Sequence, residues 1–273
     1  MLRDELIDTL RELALEDPQV QALFLGGSLG EGAGDAHSDI DLILVVEPAD
    51  HRAFVLGARA WLDQVAKLVH WFEPHPGLPL FSAVTKDWVR VDLTVTVTVP
   101  GQTHGAKDRL KPLMDRCGAY EALPDRLAPR TADPAKVEAM VREFLRVLGL
   151  LTVAVGRREW ASAVTGAGLL RQQLISLLIE QLDLPAPPGI KNLARLLPPK
   201  DLELVTDLPL AEPNRDSVIS TNLAYARLFL PRAKALCERI GAAWPEDFET
   251  ATRAHLRREL GVDWAGPALG VVE

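Results

Sequence analysis

Asp39 and Asp41 stand one residue apart at the entrance to an apolar run, Ile40 to Val46, just after the stretch Gly26-Gly27-Ser28-Leu29-Gly30-Glu31-Gly32-Ala33-Gly34. On an extended strand, side chains at i and i+2 share a face and lie about 7 Å apart, so the two carboxylates project together while Ile40 and Leu42 project to the other side. Two unpaired carboxylates beside a core repel each other and are costly to bury. A divalent cation removes both costs. Mg²⁺ is commonly held by one or two carboxylates together with waters and substrate phosphates.

A third acid has a suitable setting. From Val89 to Val99 the chain alternates strictly: Val89, Val91, Leu93, Val95, Val97 and Val99 on one face, Arg90, Asp92, Thr94, Thr96 and Thr98 on the other. Asp92 is the only acid on that polar face. If this strand neighbours the one carrying Asp39 and Asp41, the three carboxylates converge, and two ions about 3.5–4 Å apart there would serve an in-line phosphoryl displacement. The glycine stretch supplies a complementary half. Gly26 and Gly27 let the backbone approach a ligand closely. Ser28 is placed to cap a following helical turn, and the free N–H groups of a helix start receive phosphate. Asp92, in reach of cation and acceptor alike, is the first choice for the base that takes a hydroxyl proton, with Glu143 and Glu159 as alternatives.

Each part has a plainer reading. A lone D-x-D is common and uninformative; here the glycine turn and Asp92 make the combination specific. Ser28 as a nucleophile in G-x-S-x-G would need a long helix after it, which Gly30, Gly32 and Gly34 oppose. His37 reads as a loop residue beside the acids. Arg90, Lys107, Arg109, Lys111 and Arg171 are candidates for meeting phosphate charge. The tryptophans read as packing, and Trp160, opening a helix, is the one to test as a ligand platform.

The elements that must position these groups follow from hydrophobic period. Leu2 to Leu15 has helical spacing, and so does His51 to Leu68. Val20 to Gly27 reads as a strand ending in glycines, Ser28 to Gly34 as a short helix or turn, and Asp39 to Val46 as a buried strand. The run Leu78 to Val84 and the alternating run Trp88 to Val99, separated by the polar turn Thr85-Lys86-Asp87, give two further strands, the last closed by Pro100-Gly101. Strand, turn, strand, helix, strand, strand is not a regular βαβ alternation, so the fold class expected is α+β: a small mixed sheet with flanking helices, then an all-α bundle. Residues 1–120 form the sheet domain, 121–134, with three prolines, a linker, and 135–273 the helical domain. Within the latter, helices are expected around Val137 to Leu151, Leu169 to Leu182, Leu193 to Leu197 (closed by Pro198-Pro199), Ser217 to Ile240 and Pro245 to Leu260, with a break at Asp183 to Gly189.

Composition narrows the function classes. The 273 residues carry a net charge of -8 and no long Lys/Arg run, which disfavours nucleic acid as main partner and suits a cationic small substrate. Cys117 and Cys237 form no framework, so a reduced, cytoplasmic setting is expected. The first residues form an amphipathic helix pattern rather than a signal peptide, and no stretch approaches 18 uninterrupted apolar residues, so no membrane span is expected.

Gly27-Ser28, ten intervening residues, Asp39-Ile40-Asp41 and a later Asp92 within a hydrophobic strand resemble the DNA polymerase β-type nucleotidyltransferase superfamily. A compact catalytic domain followed by a helical one is similar to its bacterial aminoglycoside and lincosamide nucleotidyltransferases. The resemblance is carried by residues 20 to 100 and is only architectural beyond about 130. It implies that Gly27 and Ser28 bind the triphosphate, that Asp39, Asp41 and Asp92 are catalytic and hold Mg²⁺, and that a nucleoside monophosphate moves from ATP or another nucleoside triphosphate to a hydroxylated small-molecule acceptor, with pyrophosphate released. An antibiotic is the acceptor class this implies; a protein or RNA end, or a non-catalytic nucleotide-binding module of the same fold, are the alternatives. Many members have an arginine in the glycine turn where this chain has Glu31.

Overall fold

The computed structural model describes residues 2–97, 105–185, 190 and 192–265. The chain divides into two compact units, Met1–Ala128 and Pro129–Glu273. The division falls inside the proline-bearing stretch 121–134, whose first part bonds back to the first unit through Lys107 N–H to Pro124 O and Asp108 N–H to Asp125 O.

The first unit is built on a six-stranded mixed sheet. Strands β1 (Val20–Leu25), β2 (Ile40–Val46), β3 (Leu68–Phe72), β4 (Leu80–Thr85), β5 (Arg90–Thr96) and β6 (Lys111–Asp115) lie in the order β3-β4-β5-β2-β1-β6. β2 and β5 run parallel, and the other neighbouring pairs are antiparallel. A parallel pair needs a crossover, here α3 (His51–Asp63) followed by β3 and β4.

Helices cover one face. α1 (Arg3–Glu16) buries Leu6, Leu10 and Ala14 at four-residue spacing, and α3 buries Phe54, Ala58, Trp61 and Leu62. Both stripes pack on Ile40, Leu42, Leu44, Val46, Val91, Leu93 and Val95. The pleat therefore sends Asp41 and Asp92 to the opposite face, where a smaller cluster of Ala22, Phe24, Val45 and Ala119 lies farther along.

Two strands depart from the periodic reading. The helix expected through Leu68 stops at Asp63, whose Oδ1 accepts from Leu68 N–H as the chain turns into β3. The run Leu-Val-His-Trp-Phe finds a partner in β4, with Trp71 stacked on Phe81 at 4.8 Å. β6 is short and contains Pro112; its edge position on β1 tolerates the missing N–H. At the other end of the alternating run, Thr98, Val99 and Pro100-Gly101 lie outside the described residues.

The second unit is helical: α4 (Pro134–Arg157), α5 (Trp160–Glu180), α6 (Leu193–Leu196), α7 (Pro199–Thr206), α8 (Arg215–Ile240) and α9 (Glu246–Leu260). Asp133 caps α4, accepting from Ala135 N–H, with Pro134 at the first helical position. Pro198-Pro199 ends α6 and also starts α7. The core of α4, α5, α8 and α9 includes Phe144 stacked on Phe229 at 3.8 Å. Part of the break expected at Asp183 to Gly189, residues 186–189, lies outside the described residues.

Candidate active site

Register decides which acids meet. In the parallel pair, Asp41 lies directly opposite Asp92, and Ile40 opposite Val91. Residues in register on neighbouring strands share a face, so the two carboxylates stand side by side near the starts of β2 and β5. Asp39, just before β2, meets the first residue of β5: Arg90 Nη1 is 3.4 Å from Asp39 Oδ2, while Arg90 Nη2 donates to the His37 carbonyl at 3.0 Å. On the far side of β5, Ser82 of β4 is the antiparallel partner of Asp92, and its Oγ donates to Asp92 Oδ1 at 2.5 Å.

The glycine turn closes over Asp41. Gly26 N–H donates to the Asp41 carbonyl at 2.8 Å, and Gly27 follows in the left-handed region with φ +53°. A Cβ on Gly27 would fall 1.9 Å from Asp41 Oδ2, so the absent side chain is the space the carboxylate occupies. Gly27 opens α2 (Gly27–Gly30), whose first N–H groups have no acceptor within the helix. At the other end, a Cβ on Gly30 would meet the carbonyl oxygens of Leu25 and Arg109, both at 2.5 Å.

Ser28 does not cap α2. The cap position is Gly26, without a side-chain bond, and Ser28 lies inside the turn, its Oγ donating to Ser38 Oγ at 2.8 Å. The left-handed entry at Gly27 moves the helix start one residue earlier than the serine could serve. Ser38 in turn is tied to Asp35, which accepts from His37 N–H at 2.9 Å. That N–H, with the Ser38 hydroxyl, holds the Asp35 carboxyl below the usual range. This network fixes the loop between the glycine turn and Asp39, and leaves His37 an exposed loop residue.

The donor set is hard oxygen, which is what Mg²⁺ takes. Among the described residues no three His, Cys, Asp or Glu side chains form a ready-made metal cluster. The acids are instead arranged as two neighbouring pairs, Asp41 beside Asp92 and Asp39 beside Arg90. Two adjacent carboxylates with no side chain on Gly27 over them fit a cation whose remaining ligands are waters and phosphate oxygens.

Most other candidates are engaged elsewhere. Lys107 pairs with Glu121 and lies over the Tyr120 ring. Arg109 donates from Nε and Nη2 to Glu31 Oε1, at 3.1 and 3.0 Å, beside the end of α2. Lys111 is exposed on β6. Arg171 donates to the Val205 carbonyl within the helical unit. Glu143 is paired with Arg146 on the surface of α4, and that guanidinium holds its carboxyl below the usual range. Glu159 precedes α5 and lines a groove of about 360 Å³ with Arg146, Leu150 and Ser162. Trp160 packs on the helical core. Ser82 was not visible as a site residue: its one sequence signal is a small polar residue set among Phe81, Ala83 and Val84.

The mixed sheet carries a glycine-serine turn folded over paired aspartates, and the family of the chain is one of nucleotidyltransferases. The chain belongs to the streptomycin adenylyltransferase family, whose profile matches residues 2–258. No curated protein matches it in sequence. Among solved structures it is similar to an aminoglycoside 6-adenyltransferase from Bacillus subtilis, at 17% identity and TM-score 0.41, covering 92% of this chain and 96% of that one. It is also similar to the CCA-adding enzyme of Thermotoga maritima in complex with tRNA, at 16% identity and TM-score 0.37, covering 93% and 69%. In the described residues, no helix is long and apolar enough to cross a membrane.

Proposed function

We propose that this protein transfers AMP from ATP to a hydroxyl of a streptomycin-type aminoglycoside and releases pyrophosphate. The observation that carries the reading is Asp41 standing in register with Asp92 beneath the side-chain-free Gly27. Family membership supports ATP as donor and an aminoglycoside as acceptor. The net charge of -8 suits a polycationic acceptor.

In this reading Gly27 and Ser28 hold triphosphate oxygens through the N–H groups at the start of α2, with the Ser28 hydroxyl fixed by Ser38. Asp39, Asp41 and Asp92 would hold Mg²⁺, which when bound supplies neutralisation of phosphate charge and a lowered pKa for the attacking hydroxyl. Asp92 takes the hydroxyl proton as the acceptor oxygen bonds to the α-phosphorus and the bond to pyrophosphate breaks. Most of the rate enhancement comes from positioning and from charges already in place.

The test is pyrophosphate release from ATP and Mg²⁺ with streptomycin, other aminoglycosides and lincosamides offered singly, with mass spectrometry of the drug. An adenylylated aminoglycoside, absent with Asp41→Ala, is expected. ATP-dependent labelling of protein or RNA in a lysate, with every drug unmodified, would overturn the acceptor class.

A further inference from the structure

We propose that Ser82 is a positioning residue for Asp92: its hydroxyl holds Oδ1 toward β4 and reserves Oδ2 for the cation and the acceptor proton. The inference rests on the reading of Asp92 as a metal-binding acid. It is carried by a row across three strands: Ser82 on β4, Asp92 on β5 and Asp41 on β2 are successive cross-strand partners on one face.

Asp92 needs such a partner because its other neighbour is a carboxylate. Beside Asp41, an untethered Asp92 would turn its carboxylate away. That rotation removes an oxygen from the place where it is needed. The bond at 2.5 Å from Ser82 Oγ opposes it by fixing the carboxylate rotamer. Among the described residues the Asp92 side chain forms no other hydrogen bond, which leaves its second oxygen for the cation and the acceptor. The hydroxyl has no other assigned task in the sheet: the main chain of Ser82 already pairs with β3 and β5. Hydrogen-bond partners of metal-binding side chains commonly contribute on the order of 10–100-fold to metal affinity or activity.

The experiment compares the full-length protein with Ser82→Ala, Ser82→Cys, Ser82→Thr and Asp92→Ala. Mn²⁺ binding is read by electron paramagnetic resonance with a non-hydrolysable ATP analogue, and turnover by pyrophosphate release. Ser82→Ala should weaken Mn²⁺ binding and lower kcat by about 10-fold or more, with KM for the acceptor unchanged. Ser82→Cys, close in volume but a weak donor, should match it, and Ser82→Thr should restore both. Parent-like Mn²⁺ binding and kcat in Ser82→Cys, with both lost in Asp92→Ala, would overturn the role of Ser82. Retention of both in Asp92→Ala would instead overturn the site reading. If Ser82→Ala fails to fold, the cysteine and threonine pair still decides.

Discussion

Gly27 and Asp41 share one volume: the carboxylate Oδ2 lies 1.9 Å from where a Gly27 Cβ would be. The left-handed φ of +53° at Gly27 makes this approach possible and excludes other residues twice over, by strain and by collision. Gly27→Ala should therefore cost about 1–3 kcal/mol of stability. It should also displace Asp41 and reduce turnover by roughly 100-fold. Urea unfolding and pyrophosphate release measure the two effects separately; an alanine variant with parent turnover would contradict the arrangement.

Removing a charge from the acidic row should separate activity from stability. Asp41→Asn and Asp92→Asn each delete one of two adjacent carboxylates. Turnover should fall by on the order of 10²–10³ in both, while thermal stability of Asp92→Asn, whose amide oxygen can still accept from Ser82, should hold in metal-free buffer. Lower stability together with full activity would reverse the assignment.

The Glu31–Arg109 pair should matter little to stability. Both side chains are partly exposed, at 33% and 28%, so water and salt screen their attraction. Glu31→Gln should cost no more than about 1 kcal/mol, and less in 1 M salt. A large loss that salt leaves unchanged would show that the pair is desolvated.

Glu180 is the opposite case. It is 3% exposed and paired with Arg130 and Lys136, both partly in solvent. Glu180→Ala leaves two cations facing each other and should destabilise the helical unit by about 2–4 kcal/mol, less than for a wholly buried network because both partners reach water. Denaturant unfolding with a helical signal reads this directly.

Acid should loosen the end of α9. Burial pushes the Asp263 carboxyl up, but Ala265 N–H and the guanidinium groups of Arg253 and Arg257 outweigh it, and the net shift is downward. A depressed carboxyl stabilises the fold above its unfolded value, about 3.9, and that contribution is lost as pH falls through the lower folded value. Asp183, held below the usual range by Arg239, acts in the same direction. Asp263→Asn should thus be less stable than the parent at pH 7, with the gap closing below about pH 4. A gap that stayed constant with pH would exclude this linkage.

The placement of the acids on their strands was legible because it depends on residue type at short spacing. Asp39 and Asp41 must share a side if Ile40 and Leu42 are in the core, and the alternation around Asp92 fixes its face in the same way. Less visible were elements whose stability is supplied from elsewhere in the chain. β3 begins where helical spacing still continues, and it exists because β4 accepts its hydrogen bonds. β6 is held by β1 despite Pro112. Ser28 offered a cap by its type, yet the backbone at Gly27 sends its hydroxyl to Ser38.

By itself the sequence determined the mixed α+β class, the helical second half and the strand faces that carry Asp41 and Asp92, since hydrophobic period and local charge are properties of neighbouring residues. Only the tertiary structure decided that Asp41 meets Asp92 while Asp39 meets Arg90, and that Ser82 holds the row from the third strand. Strand order and register are set by packing between segments far apart in the chain, and a shift of one residue would turn each of these side chains to the other face.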